Sequence, residues 1–108
     1  MSDETRAPLV AEDQHEELCL RLYVAGSTPH STRAITNIKT ICETHLKDRY
    51  VLTVVDLYEQ KERAQDDQIE VVPTLIRRLP LPVRRLIGDL SQTERVLAGL
   101  DLPPAPPL

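Results

Sequence analysis

In LCLRLYV, residues 18 to 24, Leu18, Leu20, Leu22 and Val24 fall on one side and Cys19, Arg21 and Tyr23 on the other. Period-two alternation lays one apolar row along one face of an extended chain, so the segment reads as a β-strand. After AGSTPHS the period changes. Ala34, Ile35, Ile38, Ile41, Cys42 and His45 or Leu46 recur at helical spacing, which predicts a helix over about 29 to 46 with an aliphatic stripe for a sheet. Thr28 in the N-cap position and Pro29 in the first turn mark its start. YVLTVVDL, 50 to 57, is rich in β-branched residues and apolar on both faces, the pattern of an interior strand. Residues 59 to 69, EQKERAQDDQI, have few inward-facing positions and read as a short or loosely held helix. Beyond Pro73, TLIRRL and VRRLIG flank PLP, the pattern of an antiparallel hairpin with Pro80 and Pro82 in its turn. Gly88 suits a tight exit from the hairpin. Ser91 and Glu94 then have the spacing of a capping box, followed by Val96, Leu97 and Leu100 in a helix from about 92 to 101.

Composition narrows the picture. With 108 residues, 41% of them hydrophobic, one modest core is expected, and without Phe or Trp that core is aliphatic. The net charge of -4 gives no general electrostatic reason for nucleic-acid binding. No apolar run approaches the ~18 residues of a membrane helix, and the acidic start lacks the basic and apolar regions of a signal peptide, so a cytoplasmic protein is expected. Cys19 and Cys42 each sit among apolar neighbours and read as reduced, buried thiols. Neither a CxxC nor zinc-type spacing is present, and no metal or cofactor is expected. Residues 1 to 17 hold six acids and read as a solvated, passive leader. The globular domain is expected over 18 to 102. Pro103, Pro104, Pro106 and Pro107 in residues 103 to 108 favour an extended tail, frayed or PxxP-like.

The predicted order, βαβαββα, is that of a thioredoxin-like α/β domain. In such folds a β-branched residue and a cis proline precede the third strand, and VPT resembles that bend, with Pro73 as the cis-proline candidate. A thiol redox protein of this type needs a nucleophilic cysteine after the first strand. Here AGSTPHS carries none.

The stretches LRLYVAGSTPHSTRAI, VPTLIRRLPLPVRRLIGDLS and ERVLAGLDL are similar to signature segments of the KaiB family of circadian clock proteins, a resemblance covering about residues 18 to 102. It implies a non-enzymatic protein that binds the hexameric ATPase and kinase KaiC. Partners implied beyond KaiC are KaiA, where present, and histidine kinases. It also implies two folds, a ground state that is often oligomeric (dimer or tetramer) and a thioredoxin-like monomer that binds KaiC. By local match, Arg33, Tyr50, Arg77, Val83, Arg84 and Arg85 correspond to KaiC-contact positions. Gly99 and Asp101 match the switch-sensitive positions of GLDL. Thr53 stands where the family often has lysine, weakening the inference of KaiA binding, and Pro104 where it often has tyrosine. The other non-enzymatic reading is a sensor-like thioredoxin-fold adaptor for a histidine kinase.

Arg77, Arg78, Arg84 and Arg85 are four of 13 Lys plus Arg, within nine positions of an acidic chain. They read as a docking patch for an acidic surface or as charge that protects a sheet edge. His30 and Ser31 are adjacent on a helix and point apart, with no acid placed to orient the histidine, so catalysis is not expected there. Three glycines in the whole chain leave no phosphate-binding motif. A glycine in mid-helix costs about 1 kcal/mol relative to alanine. On that ground Gly99→Ala is expected to favour the thioredoxin-like form.

Overall fold

The strand at 18 to 24 forms as Leu18–Val24 (β1) in the computed structural model, which describes residues 17–102. The leader up to residue 16 and the tail from 103, Pro104 included, lie outside the described residues. After β1 come Pro29–His45 (α1), Tyr50–Asp56 (β2), Lys61–Asp66 (α2), Thr74–Leu79 (β3), Arg84–Ile87 (β4) and Thr93–Gly99 (α3). The order is the βαβαββα read from the pattern.

The four strands form one sheet in the order β2-β1-β3-β4, β1 running parallel to β2 and antiparallel to β3. The alternation in β1 assigns its two faces. Leu18, Leu20, Leu22 and Val24 pack with Ala34, Ile38, Ile41 and Cys42 of α1 and with Val96 and Leu97 of α3. Fully burying side chains of this size contributes about 1.5–3 kcal/mol each, which makes this face the main source of stability. The opposite face carries a smaller cluster of Tyr23, Val55 and Ile76 beneath Leu57, Ala64, Ile69 and Val72. α2 has no buried residue of its own, as its polar sequence suggested.

Four details differ from the sequence reading. β2 is an edge strand, with β1 as its one strand partner among the described residues; Val51 and Val54 are 46% and 37% exposed. Its β-branched residues favour extended backbone, which edge and interior strands share. Thr28 occupies the N-cap position and Pro29 the first turn of α1, but Thr28 makes no side-chain cap bond; instead buried Ser31 Oγ accepts the Ala25 amide at 3.0 Å. The expected capping box does not form either. α3 begins one residue later, at Thr93, with Gln92 in the cap position. The Ser91 amide is already taken by Asp89 Oδ1 at 3.1 Å, in a turn where Gly88 has φ +118 and Leu90 φ +62. Cys42 is buried, whereas Cys19 is only half-buried. Among the described residues no helix is long and apolar enough to cross a membrane.

Candidate docking surface

The β3–β4 hairpin pairs Thr74 with Ile87, Leu75 with Leu86, Ile76 with Arg85 and Arg77 with Arg84. Side chains of paired residues share a face, and neighbours along a strand take opposite faces. Arg77 and Arg84 therefore point to the face of α1 and α3, and Arg78 and Arg85 to the face of α2. What reads as one arginine cluster in sequence is two pairs, each gathered around an aspartate.

Asp101 organises the first pair. Arg84 Nε donates to its Oδ2 at 2.9 Å, and Arg77 Nη2 lies 3.4 Å from the same oxygen. Asp101 also ends α3. Its φ is +59, the Leu102 amide donates to the Leu97 carbonyl at 2.8 Å and its own amide to that of Ala98 at 3.1 Å, the double bond of a Schellman end. Glycine is usual at this left-handed position; aspartate tolerates it and brings a carboxylate to the hairpin. Arg77 is 4% exposed, and its Nη1 donates to the Leu100 carbonyl at 2.6 Å and Nη2 to that of Pro82 at 2.7 Å. It ties the end of α3 to the hairpin loop. Gly99 packs under Leu86: a methyl there would lie 2.2 Å from Leu86 Cδ2, so an alanine expected to help on helix propensity alone first has to displace Leu86.

Asp67, just past α2, organises the other pair. Arg21 Nη1 and Arg78 Nη1 lie 3.0 and 3.8 Å from its Oδ2, the Tyr23 hydroxyl 2.5 Å from it, and Arg85 Nη2 donates to its backbone carbonyl. Tyr23 is also 2.8 Å from the Arg63 carbonyl. Burial, then the bond with Asp67, pushes the Tyr23 hydroxyl above its ordinary pKa, keeping it protonated.

The remaining positions lie apart. Tyr50 begins the opposite edge strand, its hydroxyl donating to Glu43 Oε2 at 2.6 Å, which pushes its pKa up to about 12. Arg33 on α1 bonds Asp89 Oδ2 at 3.2 Å, beyond the far end of β4; Ser91 and then Arg33 hold Asp89 below the usual carboxylate range. The structure thus brings Val83 and Arg84 together with exposed Leu79 and Leu81, places Tyr50 along the same end of the sheet two strands away, and leaves Arg33 at the other end. Arg77 is inside. The Val72–Pro73 peptide is cis, as are those before Pro80 and Pro82. Asp67 and Asp89, which anchor arginines, and Arg21, which Asp67 holds, carried no local signal, because the partners in Arg21–Asp67 and Arg33–Asp89 are 46 and 56 residues apart. No group of His, Cys, Asp and Glu suited to a metal occurs among the described residues.

The family model for the KaiB domain matches residues 21–102. The circadian clock protein KaiB3 of Synechocystis sp. is 48% identical over 87 residues, covering 81% of this chain and 85% of that one. The circadian clock oscillator protein KaiB of Prochlorococcus marinus is 53% identical over 83 residues, 77% of this chain and 71% of that one. Among solved structures, the N-terminal domain of Synechococcus elongatus SasA gives a TM-score of 0.68 at 20% identity, covering 94% of each chain. Mitochondrial thioredoxin 3 of Saccharomyces cerevisiae gives 0.65 at 12% identity, covering 85% of this chain and 87% of that one. The structural likenesses establish a thioredoxin-like fold, and the sequence match, which runs through both arginine pairs and the Asp101 helix end, goes further: the chain belongs to the KaiB family.

Proposed function

We propose that this chain is a non-enzymatic, KaiB-type clock regulator that docks on a KaiC-type hexameric ATPase and kinase and modulates its phosphorylation state. Family membership supports the regulatory role. One observation carries the docking site: Leu79, Leu81 and Val83 stand 50%, 71% and 51% exposed at the hairpin tip, beside exposed Arg84 and Arg85. Apolar side chains framed by arginine are what a protein interface recruits. Arg77 acts behind that surface as a positioning residue, and Tyr50 extends it along the sheet end. The bonds Asp101 makes to Arg84 and Arg77 hold the GLDL segment in the binding form, so releasing them is the step toward the alternative fold that the family resemblance implies.

The test is size-exclusion co-elution with the cognate KaiC-type ATPase, with ATP or ADP. Arg84→Glu/Arg85→Glu is expected to weaken binding at least about tenfold, the equivalent of ~1.4 kcal/mol. Val83→Asp, at an exposed loop position, should do the same without removing an intramolecular partner. Wild-type affinity in both variants, with the fold retained, overturns the proposal.

Thiol chemistry gains no support from the geometry. Burial, and secondarily the charge of Glu43, pushes the Cys42 thiol up to about 12, away from the thiolate a redox nucleophile requires.

A further inference from the structure

The described residues cover only part of the sheet face toward α2. At the end away from the Tyr23 cluster, Cys19, Arg21, Val51, Thr53, Arg78 and Leu79 line an open groove of about 400 Å³. Among the described residues its charge is not balanced. Arg21 and Arg78 share a single carboxylate oxygen of Asp67, Arg78 keeps 45% of its side chain exposed, and Arg21 Nε is buried without a partner. Val51 and Leu79 add exposed apolar walls. The groove suits an anionic segment with apolar side chains nearby.

The sequence holds such a segment directly upstream. Residues 1 to 17 contain six acids against one base, Arg6, while the rest of the chain has eleven acids and twelve Lys plus Arg. The whole net negative charge thus belongs to the leader. Leu9 and Val10 precede Glu12, Asp13, Glu16 and Glu17. The segment joins the fold at Leu18, next to Cys19 in the groove wall, and Leu79 pairs with Cys19 from the adjacent strand. At ~3.3 Å per extended residue and ~4.8 Å between strands, Glu12 to Glu16 span the distance to Arg78 and Val51. We propose that the acidic leader of this chain docks in its own groove, its carboxylates on Arg78 and Arg21 and Leu9 and Val10 against Leu79 and Val51. Tethering so close gives an effective concentration of order mM, enough for a weak contact to be largely formed.

The experiment compares two-dimensional amide NMR spectra of the full chain with those of E12Q/D13N/E16Q and of R78Q. The leader substitutions change no residue of the seven described elements, so those elements keep their own contacts. Amides of Val51, Thr53 and Leu79, remote in sequence from every leader substitution, are expected to shift in E12Q/D13N/E16Q. Raising salt from about 0.1 M to about 1 M, which shortens the screening length from ~10 to ~3 Å, should move the wild-type signals toward the variant positions. R78Q should abolish the salt response at Val51 and Thr53. Unchanged signals in the leader variant, or shifts insensitive to salt, overturn docking. Shifts that grow with protein concentration assign the groove to another copy's leader and overturn the intramolecular contact.

Discussion

Replacing Arg77 with alanine is expected to lower the free energy of unfolding by about 3 kcal/mol, the range for removing a charged donor from buried acceptors. The effect comes from what is left behind. Leu100 and Pro82 would keep carbonyls aimed at a vacated site, and the end of α3 would lose its tie to the hairpin loop. Attraction to Asp101 is the lesser part, since that carboxylate is 47% exposed and also holds Arg84. For a domain of this size each kcal/mol moves the melting midpoint by roughly 4–8 °C, so thermal denaturation should show a fall of over ~10 °C. Arg77→Lys should recover little, because an ammonium lacks the fork that reaches two carbonyls in separate elements. Arg77→Met, which restores volume but no donors, separates packing from hydrogen bonding. A loss below about 1 kcal/mol in the alanine variant would contradict this role.

The second large effect is in alkaline solution. Burial holds the Cys42 thiol protonated up to about 12, against 9.0 for an unperturbed thiol. Above pH 9 the unfolded chain releases this proton while the folded one retains it. The thiol's contribution is therefore intact below pH 9 and declines as pH rises toward 12, at up to about 1.4 kcal/mol per pH unit. Near pH 10.5 the loss should be about 2 kcal/mol. Urea denaturation under reducing conditions measures it. Cys42→Ala will be less stable at neutral pH, yet its stability should fall less steeply from pH 9 to 10.5, and parallel pH profiles for the two proteins would refute the assignment.

Parity and periodicity made most of the fold legible. The alternation of β1 and the stripe of α1 each follow from one local rule, and both appear in the core as read. The same rule held information about the arginines. In TLIRRL, Arg77 has the parity of buried Leu75 and Arg78 the opposite one, so a hairpin prediction already places them on different faces. Nearness in sequence makes the four arginines one charge cluster, and strand parity divides them into two. Strand position was less accessible: four of the seven residues of β2 are β-branched, which suits an interior or an edge strand equally, and only pairing at a distance makes it an edge. The capping-box spacing failed for a related reason, because Asp89 offers Ser91 a competing local bond and shifts the helix start. Asp67 lies in polar sequence and Asp101 between two leucines; what makes both anchors is a fold-level approach to arginines on other elements.

β1 is the first of the described strands and an inner strand of the sheet. During synthesis its backbone amides and carbonyls on one side wait for residues 50–56, and those on the other for residues 74–79, before they are satisfied. Nearly the whole domain must therefore leave the ribosome before its central strand can be paired on both sides, and until then an aliphatic segment with two open edges is exposed to chaperones and to other nascent chains.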